Sequence, residues 1–519
     1  MGDLQLMAVF SFLRKFWRNR CANVAVTFAV AALPVSMIVG MGVDLANASR
    51  VKMALQDATD EAAISLARQQ STIADSAITS TANSYVMASY DKTATVTVTN
   101  ATIDRSNIIA TIDDQAVVPL YFSQLLGMSS MTVKAHAVAQ GLQIEVSLVL
   151  DTSGSMADVA GSGGVKIVAL RTAVNDFLTS MFGTQSTSQR VSVGIVPFAT
   201  AVRIVPAGST PSASYMDTTG VEGDPYGDFA STTYTRFQLL AQMGQSWGGC
   251  VMTRPPPYDV TDDAPTTSIP ATMFIPWFAP DEPDTNLGFG STAYENDYIS
   301  DTGGTCTTST FGKSDLWREQ RTCKYKNASP AYGLGPNYLC DSNAITPLTN
   351  TLSTLQTAAN ALQANGNTNI LEGVMWGWRV LSPGLPFTQG KAYGAPNNRK
   401  IIILMTDGMN NYGGANNMND SSYFTYGFAR KGLIGQVTSD NNALDALLDA
   451  KTQTACSNAK AAGVVIYTIG FGSGANGSAN LLQGCATQPS YYYAPQNSSD
   501  LDPVFQQIAQ SINNLRISQ

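Results

Sequence analysis

The sequence predicts an α/β protein. A doubly wound, mostly parallel sheet with helices on both faces carries a long disulfide-containing insertion, and a transmembrane helix and a small α+β stem precede it. Three observations carry that reading. From about Gly141 onward, apolar strand-like runs alternate with amphipathic helical runs, the order that builds a parallel sheet covered on both faces. Two of those runs, Ile144–Leu150 and Ile401–Met405, lead into loops rich in Asp, Ser and Gly, and such sheets hold ligands at the carboxyl ends of their strands. Upstream, Asn23 to Val43 is uncharged, apolar and about 20 residues long, enough to cross a hydrocarbon core of roughly 30 Å.

Taken in order, residues 1–22 read as a basic cytoplasmic segment. Arg14, Lys15, Arg18 and Arg20 precede the apolar stretch 23–43, which places everything after Asp44 on the far side of the membrane. Those four bases and Asp3 are the charges of the first 43 residues, so the remainder of a chain of net charge −8 carries about −11. That balance argues against nucleic acid as a partner, since phosphate binding wants a basic face. Ala46-Asn47-Ala48 offers a cleavage pattern, but the apolar run exceeds the 7–15 residues usual in a signal peptide, so the anchor is read as retained, with a kink at Pro34. Asp44 to Gln70 continues as a helix with Leu45, Val51, Leu55, Ala58, Ala62, Ile64 and Leu66 along one side. Thr93–Thr99, Asn107–Ile112 and Met131–Ala139 alternate at period two and read as short strands, completing a pilin-like stem over 44–140.

The head spans 141–519. Strands are expected at Ile144–Leu150, Val191–Phe198, Ile401–Met405, Val464–Ile469 and Tyr491–Tyr493. Helices are expected at Lys166–Met181, Leu348–Ala364, Asn369–Leu381, Asn442–Ala462 and Leu501–Leu515. The insertion, about 202–343, is rich in Pro, Gly, Thr, Tyr and Trp, and a structureless loop of that length is implausible inside a compact domain. Its Tyr258, Phe274, Trp277 and Phe278, beside Pro255-Pro256-Pro257, either offer a partner surface or fill a small irregular core. A second long loop, Gly408 to Gly435, is expected to frame the functional face and to be mobile.

Cysteine usage agrees with export. Cys21 is a lone thiol at the cytoplasmic edge, while Cys250, Cys306, Cys323, Cys340, Cys456 and Cys485 form an even set on the exported side with no C-x-x-C pair. Cys456, on the helix before strand Val464–Ile469, is paired with Cys485 on the next helix. The other four allow three connectivities, and disulfides there would compensate for the small core an insertion can build. Buried free thiols are the alternative.

The chemistry concentrates in three segments. Asp151-Thr152-Ser153-Gly154-Ser155 presents one carboxylate and two hydroxyls at two-residue spacing after a buried strand. Asn365 to Ile370 places Thr368 at a helix N-terminus, and Asp407 follows the strand Ile401–Met405. All are hard oxygen donors, suited to Mg²⁺ or Mn²⁺, with Ca²⁺ behind them, rather than to zinc or copper. Together the segments resemble the von Willebrand factor type A domain and its metal-ion-dependent adhesion site. The family's D-x-S-x-S motif is matched by Asp151, Ser153 and Ser155, its separate threonine by Thr368 and its later aspartate by Asp407. The resemblance implies that the three hydroxyls contact a cation directly, that the aspartates act directly or through water, and that the cation accepts a carboxylate from a protein partner.

The stretch from Asn19 to Arg68 resembles the N-terminal region of TadE/TadG-like pilus-assembly proteins, most specifically in its Arg20–Ala25 lead and its Val43-Asp44-Leu45 exit. It lacks the early acidic residue of true type IV pilins, so prepilin-peptidase processing is not implied. The two resemblances imply an adhesion or assembly factor for Flp/Tad-type pili. It would be anchored by a single pass in a bacterial inner membrane, with its bulk periplasmic or surface-directed, and its partners would be pilus-assembly or cell-envelope components. A structural envelope scaffold with a vestigial metal motif is the alternative, and a metal-dependent hydrolase is a further one. An enzyme is not expected. His136 is the single histidine and lies on a stem strand, so no Ser-His-Asp or Cys-His relay can be assembled in the head.

Overall fold

A computed structural model describes residues 20–68, 73–90, 94–105, 108–161, 164–231, 233–284, 294–331 and 333–515. The basic residues Arg14, Lys15 and Arg18 lie outside the described residues. The chain divides into two compact units, 1–141 and 142–519.

In the first unit the expected anchor and the expected soluble helix are one element, α1 (Arg20–Arg68), 49 residues long with Pro34 inside it. Beyond Pro34 the helix meets no further proline, and at 1.5 Å per residue it spans about 73 Å. Its first half exposes Val24, Phe28, Val30, Leu33 and Ile38, whereas its second half buries Ala48, Val51, Leu55, Ala58, Ala62 and Leu66. A second helix, α2 (Ile78–Ser89), was not expected from a Ser/Thr/Asn-rich segment, yet Ile78, Ala82 and Val86 fall at fourfold spacing and are buried. Strands β1 (Thr95–Asp104), β2 (Ile109–Pro119) and β3 (Ser130–Gln140) form an antiparallel sheet in that order, each longer than its alternating run suggested. His136 is exposed on β3, with Nδ1 2.7 Å from Asp113 Oδ1.

The second unit is built on a six-stranded sheet. Its strands are β4 (Gln143–Asp151), β5 (Val191–Phe198), β6 (Thr346–Thr349), β7 (Asn398–Thr406), β8 (Val464–Gly470) and β9 (Tyr492–Tyr493), in the order β6-β5-β4-β7-β8-β9. Only β6 runs antiparallel to its neighbour, β5. Alternate residues of each central strand feed two cores, as period-two geometry requires. Val146, Leu148, Leu150, Ile401, Ile403 and Met405 pack with Leu170, Phe177, Leu355 and Phe505. Those four residues belong to α3 (Lys166–Phe182), α4 (Leu352–Ala361) and the C-terminal helix Ser498–Leu515. Val149, Ile402 and Leu404 pack on the other face with Val374, Trp378, Leu444 and Leu448. These come from α5 (Ile370–Leu381) and α6 (Asn441–Ala461), and α7 (Ala479–Cys485) completes that face. Helix α5 approaches the sheet at two glycines: a Cβ on Gly377 would lie 2.3 Å from Val149 Cγ2, and one on Gly373 2.7 Å from the Phe198 ring.

Two expectations are corrected. The segment expected as a helix from Leu348 begins instead with edge strand β6 and turns helical only at Leu352, because Thr346–Thr349 pairs with β5. Of the two readings of the insertion's aromatics, the small irregular core is the one that holds. Phe274, Trp277 and Phe278 are fully buried and Tyr258 is half-buried. The Gly408–Gly435 loop does line an open cleft at the sheet edge through Gly408, Met409, Asn410 and Asn411, but it is packed rather than loose, since Tyr412, Tyr423, Phe424, Tyr426 and Phe428 are all buried.

The cysteines of the insertion pair as Cys250–Cys340 and Cys306–Cys323, and Cys456 pairs with Cys485 as expected. With little regular structure, the insertion satisfies its backbone with buried charge. The Arg254 guanidinium donates to the carbonyls of Tyr258, Thr261, Asp263 and Thr272, and Lys324 lies 2.7 Å from Asp281 and 3.2 Å from Asp301. Such pairing is what allows charges to be buried without a large penalty.

Candidate metal centre

Strand β4 has β5 on one side and β7 on the other, so the winding of the sheet reverses beside it. The carboxyl ends of β4 and β7 therefore open onto the crevice where doubly wound folds bind ligands. All five sequence-predicted residues lie there. Asp151 ends β4 and is completely buried. Its Oδ1 accepts the Ser153 backbone N–H at 2.8 Å and its Oδ2 accepts the Thr406 hydroxyl at 2.6 Å. Ser153 Oγ is 3.2 Å from Ser155 Oγ, and the Ser155 hydroxyl donates to Asp407 Oδ1 at 2.7 Å.

Thr368 arrives from a different part of the chain. The Gly154 N–H bonds the Gly366 carbonyl at 2.8 Å and the Asn367 N–H bonds Thr200 Oγ1 at 2.8 Å, which draws the 365–369 turn against the β4 loop. Asn369 caps α5 through its side chain, and Thr368 Oγ1 lies 3.7 Å from where a Cβ on Gly408 would stand. Ser155, Thr368 and Asp407 share one open cleft of about 770 Å³ with Asp158, Lys166 and Asp445.

Three supporting residues escaped the sequence reading. Thr406 orients Asp151. Asn410 accepts the Ile370 N–H at 2.8 Å and donates to Asp449 at 2.8 Å, tying the β7 loop to α5 and α6. Lys166 matters most, because its buried ammonium is 2.7 Å from Asp407 Oδ2. It opens an amphipathic helix, where a lysine reads as part of a solvated face, and nothing in its local sequence marks it as a partner of a residue 241 positions away.

The electrostatics follow from burial. Loss of solvent pushes the Asp151 carboxyl up to about 7, and the nearby Asp407 carboxylate pushes in the same direction against the hydrogen bonds from Thr406 and Ser153. Asp445 in the same cleft is raised to about 6 by burial, with Asp449 adding to it. The residues fit a hard divalent cation: three hydroxyls and two carboxylates converge, and buried Asp151 has no cationic partner in contact among the described residues. Among the described residues no group of three or more His, Cys, Asp or Glu side chains could hold a metal ion. The set here is different in kind, taking most of its oxygens from hydroxyls.

Comparison with known proteins gives a family match at one end and distant structural likenesses over the rest. No curated protein matches the chain. The von Willebrand domain of Mfa5, a type V pilus tip protein of Porphyromonas gingivalis, is 13% identical at a TM-score of 0.33, covering 72% of this chain and 96% of that one. The pilus adhesin SpaC of Lactobacillus rhamnosus GG is 12% identical at a TM-score of 0.32, covering 80% of this chain but only 33% of SpaC. A proximal thread matrix protein of mussel byssus, with a zinc-occupied adhesion-site motif, is 11% identical at a TM-score of 0.28, covering 72% of this chain and 46% of that one. Residues 22–69 match the Tad family of Flp pilus-assembly, TadE/G-like proteins. The chain thus carries a TadE/G-like segment at residues 22–69 and, beyond its stem, a doubly wound, mostly parallel α/β sheet, the fold that the sequence resemblance to the von Willebrand type A domain implies.

Proposed function

We propose that this chain is a membrane-anchored, extracytoplasmic adhesion or assembly factor of Flp/Tad-type pili that grips a protein partner through a divalent cation. The observation that carries the reading is the convergence of Ser153, Ser155, Thr368 and Asp407 around buried Asp151 at the carboxyl edge of the sheet. Ser153, Ser155 and Thr368 would hold the ion directly, and Asp407 would share it with Lys166. Asp151, both of whose oxygens are already engaged by Ser153 N–H and Thr406, would act from behind as fixed negative charge. A bound Mg²⁺ or Mn²⁺ would supply an electrophilic centre able to accept a carboxylate from the partner. Meanwhile the chain's own residues hold the hydroxyls in place and keep the acidic charge out of water. The apolar first half of α1 would anchor the protein in the inner membrane, N-terminus inward, with the larger unit periplasmic or surface-directed.

Calorimetric titration of the full chain in detergent with Mg²⁺ and Mn²⁺ tests this. Saturable binding in the parent, lost in Thr368→Ala and Asp151→Asn while both variants stay folded, is the expected result. A second reading is favoured by the Lys166–Asp407 ion pair, which already neutralises one aspartate: an envelope scaffold whose internal cation replaces the metal. A folded parent that binds neither ion would select it.

A further inference from the structure

The loop joining β2 to β3 is the most apolar exposed feature of the first unit outside α1. It closes with a Leu120 N–H to Ser129 carbonyl bond of 3.0 Å and contains a short 3₁₀ turn, Ser123–Leu126. Tyr121 is 72% exposed, Leu125 70%, Leu126 55%, Met128 52% and Phe122 45%. From Leu120 to Val133 the sequence carries no charged residue. An exposed apolar cluster of this kind marks an interaction surface.

What fixes its partner is where α1 holds it. Asp44, the first charged residue after the apolar stretch, is buried with its carboxylate turned to the loop. It accepts the backbone N–H groups of Tyr121 at 3.0 Å, Phe122 at 2.9 Å and Ser123 at 2.7 Å, and the Ser123 hydroxyl at 2.8 Å. One turn earlier, a Cβ on Gly40 would lie 2.5 Å from Phe122 Cγ and Cδ1, so the missing side chain is what lets the ring lie against the helix. The loop is thereby pinned to Gly40–Asp44, which overlaps the end of the apolar stretch at Val43 by about 4.5 Å of helix. At the same level Val39, Val43 and Leu45 on α1 are exposed, so the loop's side chains extend an apolar surface that the helix has already begun.

We infer that residues 121–128 are a second membrane contact, with Tyr121, Phe122, Leu125, Leu126 and Met128 seated at the headgroup–acyl boundary beside the point where α1 leaves the bilayer. The inference rests on the reading of α1 as a membrane anchor. Its chemistry is that of the interface: aromatic and aliphatic side chains without charge, and a tyrosine of the type enriched at headgroup level. Asp44 satisfies the loop's backbone N–H groups, which lipid cannot.

The test uses the full chain reconstituted in phosphatidylcholine–phosphatidylglycerol vesicles. Cys21→Ser removes the one cysteine outside the three disulfides. A single cysteine is then placed at Leu125, Phe28 or Val138 and labelled with an environment-sensitive fluorophore, and nitroxide lipids serve as quencher. Val138 is exposed on β3, about 26 Å along the strand from Ser130. The expected result is blue-shifted emission and loss of most intensity to nitroxide at Leu125 and at Phe28, with neither at Val138. Quenching at Phe28 without quenching at Leu125 overturns the loop contact and leaves the anchor standing. A blue shift at Leu125 that nitroxide lipids do not quench overturns it too, because the loop would then be covered by protein or by a second copy. No quenching at Phe28 overturns the anchor and the inference with it.

Discussion

Replacing Asp151 with asparagine tests the electrostatics of the site without changing its shape. The amide keeps an oxygen for the Ser153 N–H and can donate to Thr406 Oγ1, so both existing hydrogen bonds have counterparts. What is lost is a buried negative charge. The Asp151 carboxyl stands at about 7 in the metal-free fold against an ordinary 3.8. A raised acid favours the folded state only in its protonated form. Metal-free stability therefore falls as pH rises from about 4, where the unfolded chain begins to lose the proton, to about 7, where the folded chain has lost it too. At about 1.4 kcal/mol per pH unit, the stability gained by the asparagine variant over the parent should grow from about 0.5 kcal/mol at pH 4 to at most about 4 kcal/mol at pH 8. Thermal and urea unfolding of the full chain in chelator, at pH 4, 6 and 8, reads this directly. Saturating Mn²⁺ should return about 2.7 kcal/mol to the parent at one hundred times its dissociation constant and nothing to the variant. A stability gap equal at pH 4 and pH 8 would refute the reasoning, for it would mean that shape rather than charge separates the two proteins.

Other perturbations follow from named contacts. Lys166→Gln removes the cation that competes for Asp407, so metal-free stability should drop while Mn²⁺ affinity rises by about tenfold, measured by calorimetry. Gly377→Ala would force a Cβ to within 2.3 Å of Val149 Cγ2, and unfolding should show a loss of about 1–3 kcal/mol. Cys250→Ser with Cys340→Ser opens a closed segment of 90 residues, and a loss of about 2–5 kcal/mol is expected in the same assay. Below pH 7 divalent affinity in the parent should weaken by about tenfold per pH unit, because a cation must displace the Asp151 proton, and proton release on binding can be read in buffers of different ionisation enthalpy.

The central strands were legible because they are buried on both faces and so appear as unbroken apolar runs. Asp151 and Asp407 were legible because each closes such a run. Helix α2 was hidden because Ser, Thr and Asn compete with the helical backbone for hydrogen bonds, and only Ile78, Ala82 and Val86 mark its buried side. Strand β6 was hidden because four residues are too few to show a period, and its identity depends on its partner β5. Lys166 could not be found from sequence, since its role is a contact across the fold rather than a local pattern. The aromatics of the insertion were ambiguous for the opposite reason. Composition alone does not distinguish a sticky patch from a small core, and what decides is the buried Lys324 ion pairs and the Arg254 guanidinium bound to backbone carbonyls, which hold the irregular chain around them.

On the proposed function, the placement of the insertion would couple the competence of the site to its disulfides. Asp151 and Thr368 stand 217 positions apart, and the Cys250–Cys340 bond shortens that path to about 130. Shortening of that order saves only about 0.5 kcal/mol of closure entropy, so the bond does little by drawing the two halves of the site together. Its weight lies in the insertion itself, where closing 90 residues contributes roughly 4–5 kcal/mol toward order. Phe274 of the insertion packs 4.9 Å from Trp376, on the helix whose entry turn carries Thr368. A reduced chain would leave that helix short of its neighbour and the threonine without a fixed seat. On the proposed function, oxidation would then act as an arming step, since cation binding would wait on the Cys250–Cys340 bond that seats the threonine.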